Sequence, residues 1–67
     1  MNKNLPIQVY PADLRAHPGK VAVLPDRYRT WFTEDDGHWV SVPGWEPMVV
    51  CGAYLYDLPW PARWETP

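Results

Sequence analysis

A small, mostly β member of the α+β class is the fold this sequence predicts. It would hold four or five short antiparallel strands in a sheet or small open barrel, one short helical turn, and an extended proline- and tryptophan-rich C-terminal tail. Three observations predict it. Nine prolines in 67 residues each remove a backbone donor and fix φ, which excludes long helices. The longest proline-free window, Asp26 to Val42, is rich in β-branched and aromatic residues, the composition of paired strands. The chain is 46% hydrophobic and 15% aromatic. A chain this short buries only about 60% of the surface it exposes unfolded, so its large rings must supply much of the core. One domain over 1–67 is expected, with 58–67 packing on the sheet.

Taken in order, Leu5 to Tyr10 alternates Ile7 and Val9 against Gln8 and Tyr10, as a short edge strand with Pro6 at its start would. Pro11 suits a first helical position, Asp13 the positive end of a helical turn and His17 its negative end, and Pro18-Gly19 stops it, leaving Leu14 as its anchor. Lys20 to Leu24 reads as a strand with Val21 and Val23 on one side, ended by a Pro25-Asp26 turn.

The window that follows reads as a hairpin turning at Glu34-Asp35-Asp36-Gly37, where glycine supplies a positive φ. A loop over Asp35 to Gly37 would pair Glu34 with His38, Phe32 with Val40 and Thr30 with Val42. Tyr28, Phe32, Val40 and Val42 then share the core face, and Arg29, Trp31, Thr33, Trp39 and Ser41 share the other. After a bend at Pro43-Gly44-Trp45-Glu46-Pro47, Met48 to Leu58 carries one charge and no proline and reads as one long strand bent at Gly52. The tail from Pro59 reads as extended, with Trp60 and Trp64 as its contacts. The expected core is Ile7, Val9, Leu14, Val21, Val23, Tyr28, Phe32, Val40, Val42, Val49, Tyr54 and Tyr56.

The inventory for chemistry is thin. Ser41 is the only serine, Cys51 the only thiol, and His17 and His38 the only imidazoles; none stands in a nucleophile-elbow or cysteine-protease pattern. Cys51 lies in the apolar run Met48 to Ala53 and reads as a buried, inert thiol. His38 beside the acidic turn reads as solvated. Zinc spacing, the ligand alternation of a calcium loop and a phosphate-cradling glycine run are all missing from the pattern. No enzyme, metal or cofactor is expected.

A formal charge of −2 points away from a dedicated nucleic-acid binder. Arg27, Arg29, Trp31 and Trp39 do form a basic and aromatic strand pair on which single-stranded nucleic acid could stack, but Asp26, Glu34, Asp35 and Asp36 offset it. The longest uncharged run, Pro47 to Tyr56, is ten residues, too short to span a bilayer, so no membrane role is expected. A lone cysteine and the lack of a signal-type opening suggest a cytoplasmic setting.

Pro43-Gly44-Trp45-Glu46, Gly52-Ala53-Tyr54-Leu55-Tyr56 and Trp64-Glu65-Thr66-Pro67 together resemble the signature of WW domains. The stretch covers about a third of the chain. It departs from that family in its shorter tryptophan spacing, in Val49-Val50-Cys51 where a polar loop belongs, in lacking the histidine after the aromatic strand, and in Pro59 and Pro61 within the third strand. The resemblance implies a three-stranded sheet that holds proline-rich peptides between Tyr54 or Tyr56 and Trp64.

The reading that fits these residues best is a non-enzymatic protein-binding module that docks on a larger protein through exposed aromatics. Small inhibitors and adaptors of the kind encoded by phages and mobile elements have this size and this lack of catalytic groups. The expected partner face is Arg29, Trp31, Thr33, Trp39 and Ser41, joined by Trp60 and Trp64, since Trp and Arg anchor most binding hot spots. A proline-peptide or single-stranded nucleic-acid binder is the second reading. A homo-oligomeric subunit, a homodimer in its simplest form, is the third.

Overall fold

The structure, a computed structural model, describes residues 5–66. Seven elements follow one another: α1 (Pro11–Ala16), β1 (Ala22–Val23), β2 (Arg29–Thr33), β3 (Gly37–Ser41), β4 (Met48–Val50), α2 (Ala53–Asp57) and β5 (Arg63–Trp64). The strands form one antiparallel open sheet in the order β4-β3-β2-β1-β5. This is the small, mostly strand α+β fold that the prolines and the aromatic window predict, with a second short helix added.

α1 forms where its end signals place it. Pro11 occupies the first turn, where its missing N–H costs nothing. The Asp13 carboxylate accepts a hydrogen bond from the Tyr10 backbone N–H at 2.9 Å, and the helix ends at His17, before Pro18. At six residues it is too short to hold itself. It is held by Leu14, which packs fully buried with Val9, Ala22, Leu24 and Ala62.

The β2–β3 hairpin forms in a different register from the expected one. Thr33 pairs with Gly37, Phe32 with His38, Trp31 with Trp39, Thr30 with Val40 and Arg29 with Ser41, so Glu34 to Asp36 make the loop. The Asp36 backbone N–H donates to the Thr33 hydroxyl at 3.2 Å, closing the turn one residue earlier on each side. Gly37 has the expected positive φ, at 85°. A slip of two residues leaves every side chain on its own face, because strand periodicity is two. The core face therefore still carries Phe32 and Val40, and the other still carries Trp31 and Trp39. What changes is His38, which lies opposite Phe32 and is buried instead of solvated.

Three further expectations are corrected. Met48 to Leu58 is not one strand: β4 ends at Val50, Gly52 turns the chain at φ 65° and ψ −144°, and α2 follows. Leu55 alone on that helix is buried, which leaves Tyr54 (77% exposed) and Tyr56 in solvent, and Val49 on the outer side of β4 is also exposed. Ile7 is 85% exposed, because the expected N-terminal strand reduces to a single bridge in which Val9 and Ala62 exchange backbone bonds of 2.9 and 2.8 Å. In β1 the fully buried residue is Ala22, with Leu24 just beyond it, and Val21 and Val23 are only half-buried. Pairing decides that parity: Ala22 sits between Thr30 and Trp64 on the side where Leu14 packs, and a methyl leaves room for α1.

The tail returns along β1. Ala22 pairs with Trp64 and Val23 with Arg63, and the Glu65 N–H donates to the Val21 carbonyl at 2.9 Å. Pro67 and residues 1–4 lie outside the described residues.

Candidate functional site: the open face of the sheet

Register assigns each strand residue to one of two faces. Leu14 of α1 and Ala22 share the buried cluster against which Leu58 beyond α2, Phe32 and Trp64 pack, and a cavity of about 380 Å³ is lined by Arg15, Leu55 and Tyr56 of the helical segments and by Phe32 and His38 of the sheet. Both helices therefore cover the same face. Among the described residues, neither helix lies over the opposite face.

On that open face Val49, Trp39 and Trp31 lie side by side across three strands. The two indoles are parallel within 5°, with ring centroids 6.3 Å apart, an offset stack that fixes both rings. Trp39 Nε1 donates to the Thr33 hydroxyl at 3.2 Å, so its polar edge is satisfied within the sheet. The adjacent row reads Ser41, Arg29, Val23 and Arg63. The Arg29 guanidinium pairs with Glu65, an exposed ion pair that orients the arginine more than it stabilises the fold. Arg29, Trp31, Thr33, Trp39 and Ser41 are thus brought together on one surface, Arg29 exposed and the other four half-buried.

Trp60 and Trp64 are not part of it. Both pack against the core cluster from the helix-bearing side. Trp60 Nε1 donates to the Leu55 carbonyl at 2.7 Å, and Trp64 is flanked edge-on by His17 and approached by Lys20 Nζ at 5.4 Å. A tail too short to form its own layer has to spend its indoles holding itself down.

No protein-family model, curated protein or solved structure matches the chain.

The chemistry elsewhere is that of a packed scaffold. Among the described residues no group of three or more His, Cys, Asp or Glu side chains is placed to hold a metal ion, and no helix is long and apolar enough to cross a membrane. His38 is buried with Nε2 unpartnered, edge-on to Phe32 at 5.0 Å. Burial holds its pKa below the usual 6.5, the Arg15 guanidinium adds to the effect, and the Pro11 backbone opposes it. Cys51 is exposed instead of buried, because β4 ends one residue earlier and the thiol falls in the turn before α2.

The layout implied by the WW resemblance does not form. Tyr54 and Tyr56 stand on α2, and Trp64 is in β5, at the opposite edge of the sheet from β4. Trp45 is the feature that sequence reasoning missed: at 74% it is exposed while the other four tryptophans are half-buried. The signal was its place between Pro43 and Pro47, in a bend that neither strand can bury.

Proposed function

We propose that this protein is a non-enzymatic binding module that docks on a larger protein through the open face of its sheet. The observation that carries the reading is the stacked Trp31/Trp39 pair, extended by Val49, on a face that neither helix covers. Rigid aromatics flanked by Arg29, Thr33 and Ser41 give a contact surface of large area and low ordering entropy. The fold leaves these indoles free of core duty, since the core is closed from the other side by Leu14, Leu24, Val9, Ala22 and Ala62.

The test is capture of partners from cell lysate on immobilised wild type and on Trp31→Ala/Trp39→Ala, with circular dichroism confirming that the variant is folded. The reading expects specific partners that the variant loses. Recovery of the same partners by a folded variant would refute the face. Strong salt-dependent retention of single-stranded DNA, with no protein captured, would favour the nucleic-acid reading instead.

A further inference from the structure

The helix-bearing side of the sheet carries a second feature, away from the indole pair. In the cavity of about 380 Å³, Phe32 and Val50 are half-buried and Leu55 is buried, whereas Arg15, Asp36 and Tyr56 are exposed. His38 belongs to the same lining, only 5% exposed, with Nε2 closed off from water and without a hydrogen-bond partner. A buried polar atom left unpaired carries a penalty that a bound partner removes. The Arg15 guanidinium and the Tyr56 hydroxyl meet at 3.4 Å, and both also line an adjacent cavity of about 460 Å³ with Pro11 and Trp60. Two exposed side chains joined by one long bond thus divide the two cavities, and they can swing aside at little cost.

What such a site takes follows from its polar groups. A neutral imidazole has one N–H and one bare nitrogen. The Pro11 backbone has a carbonyl but no N–H, so its bond with His38 is donated by the ring, and the unpartnered Nε2 is the bare nitrogen. It requires a donor. Arg15 repels a cation and Asp36 repels an anion, which selects an uncharged one. Arg15 already donates to one phenolic hydroxyl, that of Tyr56, and a guanidinium has further N–H groups to spare. A ligand hydroxyl can accept from Arg15 and donate to Nε2 at once. The apolar lining suits a flat ring, for which a cavity of roughly 150 Å³ is already enough.

We infer that this cavity is a binding site for a small uncharged phenol, whose hydroxyl donates to His38 Nε2 and accepts from Arg15 while its ring packs on Phe32, Val50 and Leu55. The site is separate from the open face, and neither reading depends on the other.

Phenol itself is the probe, in an NMR titration of the isotope-labelled protein at neutral pH. So small a ligand binds with a Kd on the order of 1 mM, and the titration runs to about ten times that. The expected result is saturable shifts centred on Phe32, Val50 and Leu55, together with a shift of the His38 Nε2 resonance. Anisole, which has the same ring and oxygen but no proton to give, should bind at least about tenfold more weakly. His38→Phe should abolish that preference. Arg15 is exposed, so Arg15→Ala keeps the fold and should weaken phenol at least about threefold. Benzoate and benzylammonium should both bind more weakly than phenol. Shifts that do not saturate, or that centre on Trp31 and Trp39, overturn the inference. Anisole binding as well as phenol, a folded His38→Phe that keeps the preference, an Arg15→Ala of unchanged affinity, or tighter binding of either charged probe overturns it as well. The anisole and Arg15→Ala measurements decide the matter even where His38→Phe does not fold.

Discussion

Replacing Leu14 and Ile7 in turn by alanine separates the core that forms from the core that the sequence alone suggests. Leu14 is fully buried and belongs to a cluster whose other members are Val9, Ala22, Leu24 and Ala62. Two of those four are alanines, which have no rotamers with which to fill a void, and α1 has no other buried side chain except Pro11. Leu→Ala changes in cores cost roughly 2 to 5 kcal/mol, rising with the cavity that remains, so a site that collapses poorly lies above the low end of that range, at about 3 to 4 kcal/mol. The whole stability of a chain of this length, at roughly 0.05 to 0.15 kcal/mol per residue, is about 3 to 10 kcal/mol. The variant should therefore lose about 12 to 30 °C of Tm, at roughly 4 to 8 °C per kcal/mol for a domain this small. Ile7→Ala is the matched control, because Ile7 is 85% exposed and its loss should stay within about 0.5 kcal/mol. Thermal and urea unfolding followed by tryptophan fluorescence measure both. A loss below about 1 kcal/mol for Leu14→Ala, or equal losses at the two positions, would refute this placement of the core.

Three other expectations follow from the same geometry. His38 is buried with its pKa held below 6.5, so the unfolded chain binds more protons in mild acid; stability should be full above about pH 6.5 and decline as pH falls toward the lowered native value, a decline that His38→Phe should abolish in pH-dependent urea titrations. A flat wild-type profile, or the same slope in the variant, would contradict it. Gly52→Ala should cost about 1 to 3 kcal/mol in thermal unfolding, all of it from a backbone at φ 65° and ψ −144°, since nothing lies within 4 Å of an added Cβ; a neutral substitution would mean that the turn into α2 is formed differently. Trp60→Phe keeps most of the packing but removes the donor to the Leu55 carbonyl, and should cost about 1 to 2 kcal/mol. Faster amide exchange confined to α2 and the tail would mark the loss, and unchanged exchange there would argue against the bond.

The hairpin shows what sort of error a single sequence invites. Its two faces were legible because alternation survives any slip by an even number of residues, but the register was not. The Asp36 N–H bond to Thr33 closes the loop, and nothing in the order of the acidic residues announces that bond. α1 was readable to within a residue because proline, aspartate and Pro18-Gly19 are local signals. α2 was not, because Ala53 to Asp57 is aromatic and nearly uncharged, a composition that suits a buried strand until the positive φ of Gly52 turns the chain out of the sheet.

The candidate site divides in the same way. Arg29, Trp31, Thr33, Trp39 and Ser41 could be grouped from alternation, since side chains of one parity share a face wherever the partner strand lies. Whether that face was covered could not be read. It depends on both helices choosing the other side, and on Trp60 and Trp64 being drawn there with the tail.

By itself, then, the sequence determined the local terms: short antiparallel strands in place of long helices, where α1 begins and stops, and which indoles stand on one side of the hairpin. Those follow from φ restrictions, caps and a period of two, which act over a few residues. Tertiary structure decided the rest: that Ala22 and not its neighbouring valines faces the core, that His38 is buried, that Trp45 is left in water, and that one face of the sheet stays open. These depend on which surfaces meet, and contacts between residues distant in sequence are set by the summed packing of the whole chain.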